Sequence, residues 1–342
     1  MANNDLPIII PRPDTDRTAL FSEESTSIAA PTESSFVSQF GTHLPPAQYL
    51  TQKHEHGNSS TNTAYYEFLP STAPVSGLSA GRLLIVHGVG TPALGMFPLA
   101  KVIRESYPHF HIVLYDHFGH GLSSTPLVPH VPALFHAQII ALFDHLKWAN
   151  AHLLGFSFGG STVTSFTALH PHLVSSFTLV APAGLISSDS FSEQEKRYLA
   201  GGPGVDENAA RDWIVDWVSG GPLVVQPDWK DHFSRGEIIS GDPIQVWERE
   251  NHKGHIPSIV AMFRDGGACD MHEYFKIASN KSNIYKLAVI GELDSVCSEQ
   301  DLKNVGFDHI IVVPKAGHSL VRNRVSEVAS PIIEFLQKAS AQ

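Results

Sequence analysis

The sequence predicts an α/β fold: a mostly parallel sheet flanked by helices, interrupted late in the chain by a helical insertion. Three observations carry this expectation. Short apolar runs recur without the alternation of a half-solvated strand, the mark of strands buried on both faces under covering helices. Stretches of helical length and spacing separate those runs. The rhythm then breaks for about a hundred residues in which helix signals continue and strand runs stop.

In chain order, residues 1–45 are rich in Ser, Thr, Pro and Glu with little periodicity and read as a mobile or loosely packed arm. A first strand is expected near 47–53. The strand runs that follow are "AYYEFL" (64–69), "RLLIV" (82–86), "HIVLY" (111–115), "AHLLG" (151–155), "SFTLV" (176–180), "KLAVI" (286–290) and "HIIVV" (309–313). Helical patterns cover 132–149 and 160–171. The core is thus expected to comprise 46–184 and 281–342, with 185–280 inserted as a helical cap or lid. Inside the insertion, Ser192 and Glu195 form a capping box ahead of "QEKRYLA", and further helices are expected over 206–218, 242–251 and 257–263. Four of the five tryptophans lie there. Trp213 and Trp217 stand four apart and share a helix face, so they are candidates for a substrate pocket as well as for plain packing. Gly201-Gly202 and Gly220-Gly221 fit either hinges or helix-ending turns. The closing stretch 324–338 reads as a last helix that Pro331 should kink or split.

Bulk composition excludes several functions. With 23 Lys+Arg against 34 Asp+Glu, the 342-residue chain has a formal charge of -11 and no basic cluster, so no nucleic-acid partner is expected. Cys269 and Cys297 lack any C-x-x-C spacing and read as packed thiols. The 20 histidines are scattered, with no H-x-x-x-H or H-E-x-x-H, so no metal is expected. No membrane span, secretory signal or C-terminal address is found, which reads as cytoplasmic.

The chemistry centres on "HLLGFSFGGSTV" (152–163). Ser157 stands between glycines in G-x-S-x-G, directly after a strand run and before a helical pattern. That is the context of a nucleophile elbow, a strained strand-to-helix turn. The same expression occurs by accident at 77–81, where a strand follows instead of a helix. So tight a turn presses the residues two before and two after the serine together, which calls for Gly155 and Gly159. A serine hydroxyl needs a base and an acid that orients it. Asp294, after "KLAVI", and His318, after "HIIVV", follow in the order Ser, Asp, His, and parallel strands bring both loops to the sheet edge that holds the elbow. The stretch His87-Gly88-Val89-Gly90 follows the strand at 82–86, where a loop can aim a backbone N–H at an oxyanion. Val89 is the first choice, with Gly88 and Gly90 as alternatives, and Phe158 N–H is the second donor. His87 is read as supporting that loop. Asp116, His117 and His120 are read as shaping a turn, not as an acid–base or metal cluster.

Taken together, His87-Gly88, Asp116-x-x-Gly119-x-Gly121, Gly155-x-Ser157-x-Gly159, Gly291-x-x-Asp294 and Gly317-His318, collinear over about 62–338, resemble the α/β-hydrolase family. The resemblance implies an eight-stranded sheet with a helical cap after the sixth strand, and two-step acyl transfer without a cofactor. The serine at 157 disfavours the aspartate-nucleophile members. The expected function is a serine hydrolase acting on the ester or lactone of a small to medium apolar molecule. Cleavage of a carbon–carbon bond next to a ketone and a small-molecule receptor on the same scaffold are the alternatives. A homodimer is compatible with all three.

Overall fold

A computed structural model describes residues 8–15, 26–53, 60–73 and 81–341 of the chain. Its centre is an eight-stranded sheet of β1 (Gln48–Lys53), β2 (Ser60–Phe68), β3 (Arg82–Val86), β4 (His111–Tyr115), β5 (Ala151–Phe156), β6 (Val174–Val180), β7 (Tyr285–Gly291) and β8 (Ile310–Val313). Their spatial order is β1-β2-β4-β3-β5-β6-β7-β8. The β1–β2 and β2–β4 pairs are antiparallel, and all other pairs are parallel. The non-alternating run of β3 is buried on both faces: Leu83 and Ile85 enter one apolar layer while Leu84 and Val86 enter the other.

The helices are α1 (Glu33–Phe40), α2 (Phe97–Ser106), α3 (Pro132–Leu146), α4 (Phe158–Leu169), α5 (Glu193–Ala200), α6 (Glu207–Ser219), α7 (Trp229–Ser234), α8 (Asp242–Asn251), α9 (His255–Asp265), α10 (His272–Ser279), α11 (Glu299–Asn304), α12 (Leu320–Asn323) and α13 (Val325–Ser340). Helices α2 and α13 cover one sheet face through Leu99, Ile103, Val328 and Ile332; α3, α4 and α11 cover the other through Ile139, Phe143, Phe166 and Leu302. Helices α5 to α10 occupy the segment between β6 and β7. The Ser192–Glu195 capping box starts α5 with both reciprocal bonds made.

Three expectations are corrected. Within 1–45, residues 33–40 form a helix capped by Thr32, and Phe36 and Phe40 are buried against Trp247, with ring centroids 5.3 and 5.6 Å apart. Residues 27–28 pair with 125–126, and Arg12 bonds Asp265 at 2.6 and 3.0 Å. Burying two phenylalanines overcomes the weak local propensity of so short a helix. The inserted unit also stops before 280. Helix α10 packs on α4, with Phe275 in the sheet-covering layer. Finally, of the two effects expected of Pro331 the split is absent, because α13 runs through it as one helix. The lost hydrogen bond and ring clash cost about 3 kcal/mol, which is outweighed by five buried side chains, Val328, Ala329, Ile332, Phe335 and Leu336. The accidental G-x-S-x-G falls on 77–81, of which 77–80 lie outside the described residues.

Candidate active site

Ser157 joins β5 to α4 with φ 53° and ψ -120°, a left-handed conformation that a residue with a Cβ adopts only when its surroundings impose it. The glycines explain how the chain reaches it. A Cβ on Gly155 would lie 2.3 Å from the Gly159 carbonyl oxygen, and one on Gly159 would lie 2.3 Å from the Val86 carbonyl oxygen. The hydroxyl is thereby held just above the end of β5, next to the end of β3.

The three side chains named from the sequence come together. His318 Nε2 lies 2.9 Å from Ser157 Oγ, and His318 Nδ1 lies 3.1 Å from both carboxylate oxygens of Asp294. The Asp294 side chain is fully buried and also accepts the Val296 N–H at 2.8 Å, which fixes its plane; the His318 side chain remains 30% exposed toward the cavity. A neutral imidazole donating from Nδ1 presents its Nε2 lone pair to the serine. The arrangement can take a proton from Ser157 and stabilise the imidazolium that results.

The loop after β3 runs against the same serine, since a Cβ on Gly88 would approach Ser157 Cβ to 2.8 Å. Val89 and Phe158 both border the cavity at Ser157, and among the described residues neither backbone N–H meets a protein acceptor. Gly90 is removed from the alternatives, because its N–H is spent on His120 Nε2 at 3.1 Å.

The histidines beneath this loop are structural. His87 donates from Nδ1 to the Gly88 carbonyl at 2.6 Å and accepts the His117 N–H at 2.9 Å; burial pushes its pKa down to about 4. His120 and His255 are buried and pushed down for the same reason. Asp116 accepts from Ala93 N–H, Leu122 N–H and Tyr66 Oη, and burial raises its pKa to about 6. Among the described residues no group of three or more His, Cys, Asp or Glu is placed to hold a metal ion.

Ser157 and His318 open into a cavity of about 610 Å³ whose wall includes Trp217, Phe263, Gln245 and Arg322. Of the two tryptophans, Trp217 lines it and Trp213 does not. Both rings lean on Phe263, but Trp213 sits one helical turn further along, against Phe191 and Tyr198, with its Nε1 bonded to Glu195. Arg322 was not singled out from the sequence. Its signal is a basic residue four positions after the candidate histidine, on the short helix α12 that follows the loop.

A family model described as alpha/beta hydrolase fold matches residues 81–212. The chain is 24% identical over 258 residues, 75% of its length, to the dihydrolipoyllysine-residue acetyltransferase component of the acetoin cleaving system of Pseudomonas putida, and covers 63% of that protein. It is 37% identical over 115 residues, 33% of its length, to a human serine hydrolase-like protein, of which it covers 55%. The chain thus spans roughly half to three-fifths of these curated relatives. The enol-lactonase of Burkholderia xenovorans LB400 superimposes with a TM-score of 0.57 at 17% identity, over 81% of this chain and 97% of that one, a likeness of fold.

Proposed function

We propose that the chain, whose residues 81–212 match the alpha/beta hydrolase fold model, is a cytoplasmic serine hydrolase that cleaves an ester or lactone. The observation that carries the proposal is the 2.9 Å contact of His318 Nε2 with Ser157 Oγ, made at a serine held at positive φ, with Asp294 behind the imidazole. His318 takes the hydroxyl proton as Ser157 Oγ attacks the carbonyl carbon, and Asp294 stabilises the imidazolium. The N–H groups of Val89 and Phe158 receive the tetrahedral oxyanion, where preorganised donors favour developing charge. His318 returns the proton to the leaving oxygen. Water then repeats the sequence on the acyl enzyme. Helices α5 to α9 act as a cap, and Trp217 and Phe263 offer the apolar part of a substrate its contact surface.

Labelling of the protein by a fluorophosphonate, compared with Ser157→Ala, tests the nucleophile. Labelling confined to the wild type is expected, and its absence overturns the proposal. A series of p-nitrophenyl esters and lactones then tests the bond cleaved. If all are refused while a vinylogous diketone is split, the reaction is carbon–carbon cleavage. If nothing is turned over, the scaffold serves as a receptor.

A further inference from the structure

Arg322 is a charged group that the hydrolytic mechanism leaves unused. It stands on α12, four residues beyond His318, and borders the cavity of Ser157. It is 8% exposed. A guanidinium carries five N–H donors in a planar fork. Among the described residues Nη2 reaches Ser319 Oγ at 3.2 Å, whereas Nε and Nη1 reach no acceptor. The sequence has 34 acidic side chains, yet none of the described ones forms an ion pair with this arginine; Asp242 acts on it only through space. Its remaining partner is the Phe156 ring, whose centroid lies 5.6 Å from the guanidinium carbon. A cation taken out of water without a counter-charge is costly, so such a residue needs a reason to be where it is. Burial lowers its pKa to about 10, which leaves it charged at neutral pH.

We infer that Arg322 receives a free carboxylate of the substrate, so that the ester or lactone cleaved at Ser157 belongs to a molecule carrying a second, unesterified acid group. This rests on the reading of Ser157 and His318 as the hydrolytic pair. A guanidinium N–H makes a short, charge-assisted hydrogen bond to a carboxylate. Arg322 is the sole Lys or Arg among the described residues of the cavity wall, which suits one negative charge better than a phosphate dianion. The spacing is set by Phe156. Its ring neighbours both groups, 5.3 Å from the His318 ring and 5.6 Å from the Arg322 guanidinium carbon, which keeps the two within reach of one small molecule. A short chain crossing that ring places its carbonyl at Ser157 and its carboxylate at Arg322, a few bonds apart. Gln245 and Asn323 add polar groups to the same wall.

Two measurements test this. In the first, kcat/KM is compared for the p-nitrophenyl monoester of glutaric acid and for the uncharged p-nitrophenyl pentanoate. The wild type is expected to favour the acid at least about ten-fold, and Arg322→Met to lower that ratio by at least about ten-fold, mainly through KM, with Arg322→Lys in between. A ratio near one in the wild type, or one unchanged in Arg322→Met, overturns the inference while leaving the hydrolase reading intact. In the second, calorimetry follows monoethyl glutarate binding to Ser157→Ala and to Ser157→Ala with Arg322→Met, which needs no turnover. Binding lost with the arginine supports the carboxylate site even if no ester is cleaved. Failure to bind, equal binding by both variants, or displacement of the monoester by inorganic phosphate more readily than by glutarate overturns it. Thermal melts of each variant establish that it is folded, and replacement of an unpaired buried cation by Met is expected to leave the melting temperature the same or higher.

Discussion

Lowering the pH from 7 to 5.5 is expected to destabilise the folded chain by about 5 kcal/mol, through histidines that take no part in the proposed chemistry. His87, His130, His136 and His152 are pushed from the ordinary 6.5 to about 4, and His255 to about 3, in each case chiefly by burial. Between pH 6.5 and 4 the unfolded chain binds protons at these positions and the folded chain does not, so acid favours unfolding. From pH 7 to 5.5 each costs about 1.2 kcal/mol, and the five together about 6. Asp116 works the other way. Its folded pKa, raised by burial from 3.8 to about 6, lets the folded state hold a proton the unfolded state releases, which returns about 0.8 kcal/mol at pH 5.5. His117, His120 and His252, also lowered by burial, act with the five, and Glu248, raised by burial, acts with Asp116. Domains have about 5–15 kcal/mol in total, so the loss is a large share of the stability. Denaturant midpoints at pH 7, 6 and 5.5 measure the loss, and potentiometry is expected to find at least about three protons taken up on unfolding at pH 5.5. Equal midpoints, or an uptake below one proton, would refute the reasoning. The link to activity is His120, whose neutral Nε2 accepts the Gly90 N–H; protonation turns that acceptor into a donor beneath the loop that carries Val89. Activity should therefore collapse cooperatively with the fold in acid.

Other expectations concern single substitutions. Gly88→Ala puts a methyl group 2.8 Å from Ser157 Cβ, and the displaced loop is expected to lower kcat on p-nitrophenyl esters about 10²–10³-fold, as loss of an oxyanion donor does; a kcat within two-fold of wild type would exclude Val89 as donor. Trp217→Ala should raise KM for long apolar esters, while Trp213→Ala should leave the chain-length preference alone and cost about 1–3 kcal/mol in urea unfolding, because one ring lines the cavity and the other fills the insertion. Phe40→Ala should destabilise the whole molecule by about 3–5 kcal/mol, since its ring meets Trp229, Phe233 and Trp247; a fraying of the N-terminal segment alone, seen by hydrogen exchange with an unchanged global midpoint, would show that this segment is an independent arm.

What could be read from the sequence, and what could not, follows the range over which each constraint acts. The elbow is legible because its steric rule is local: Gly155 meets Gly159 within one turn, and the absence of a Cβ is visible in the letters themselves. Asp294 and His318 are legible at long range only because parallel topology gathers all strand ends on one edge. The Phe36–Phe40 pair offered a helical i,i+4 signal, but its partner Trp247 lies in the insertion, so composition suggested an arm. Trp213 and Trp217 shared a face as their spacing required, yet which of them reaches the cavity depends on where α6 starts relative to its mouth. Arg322 marks the limit of such reading. Its chemical meaning comes from acceptors that are not near it, and a missing neighbour has no letter in the sequence. In composition it is one of 23 basic residues. Only folding distinguishes it, by burying it beside Phe156 without an ion pair to any described carboxylate, which makes it a specificity element that charge counting passes over.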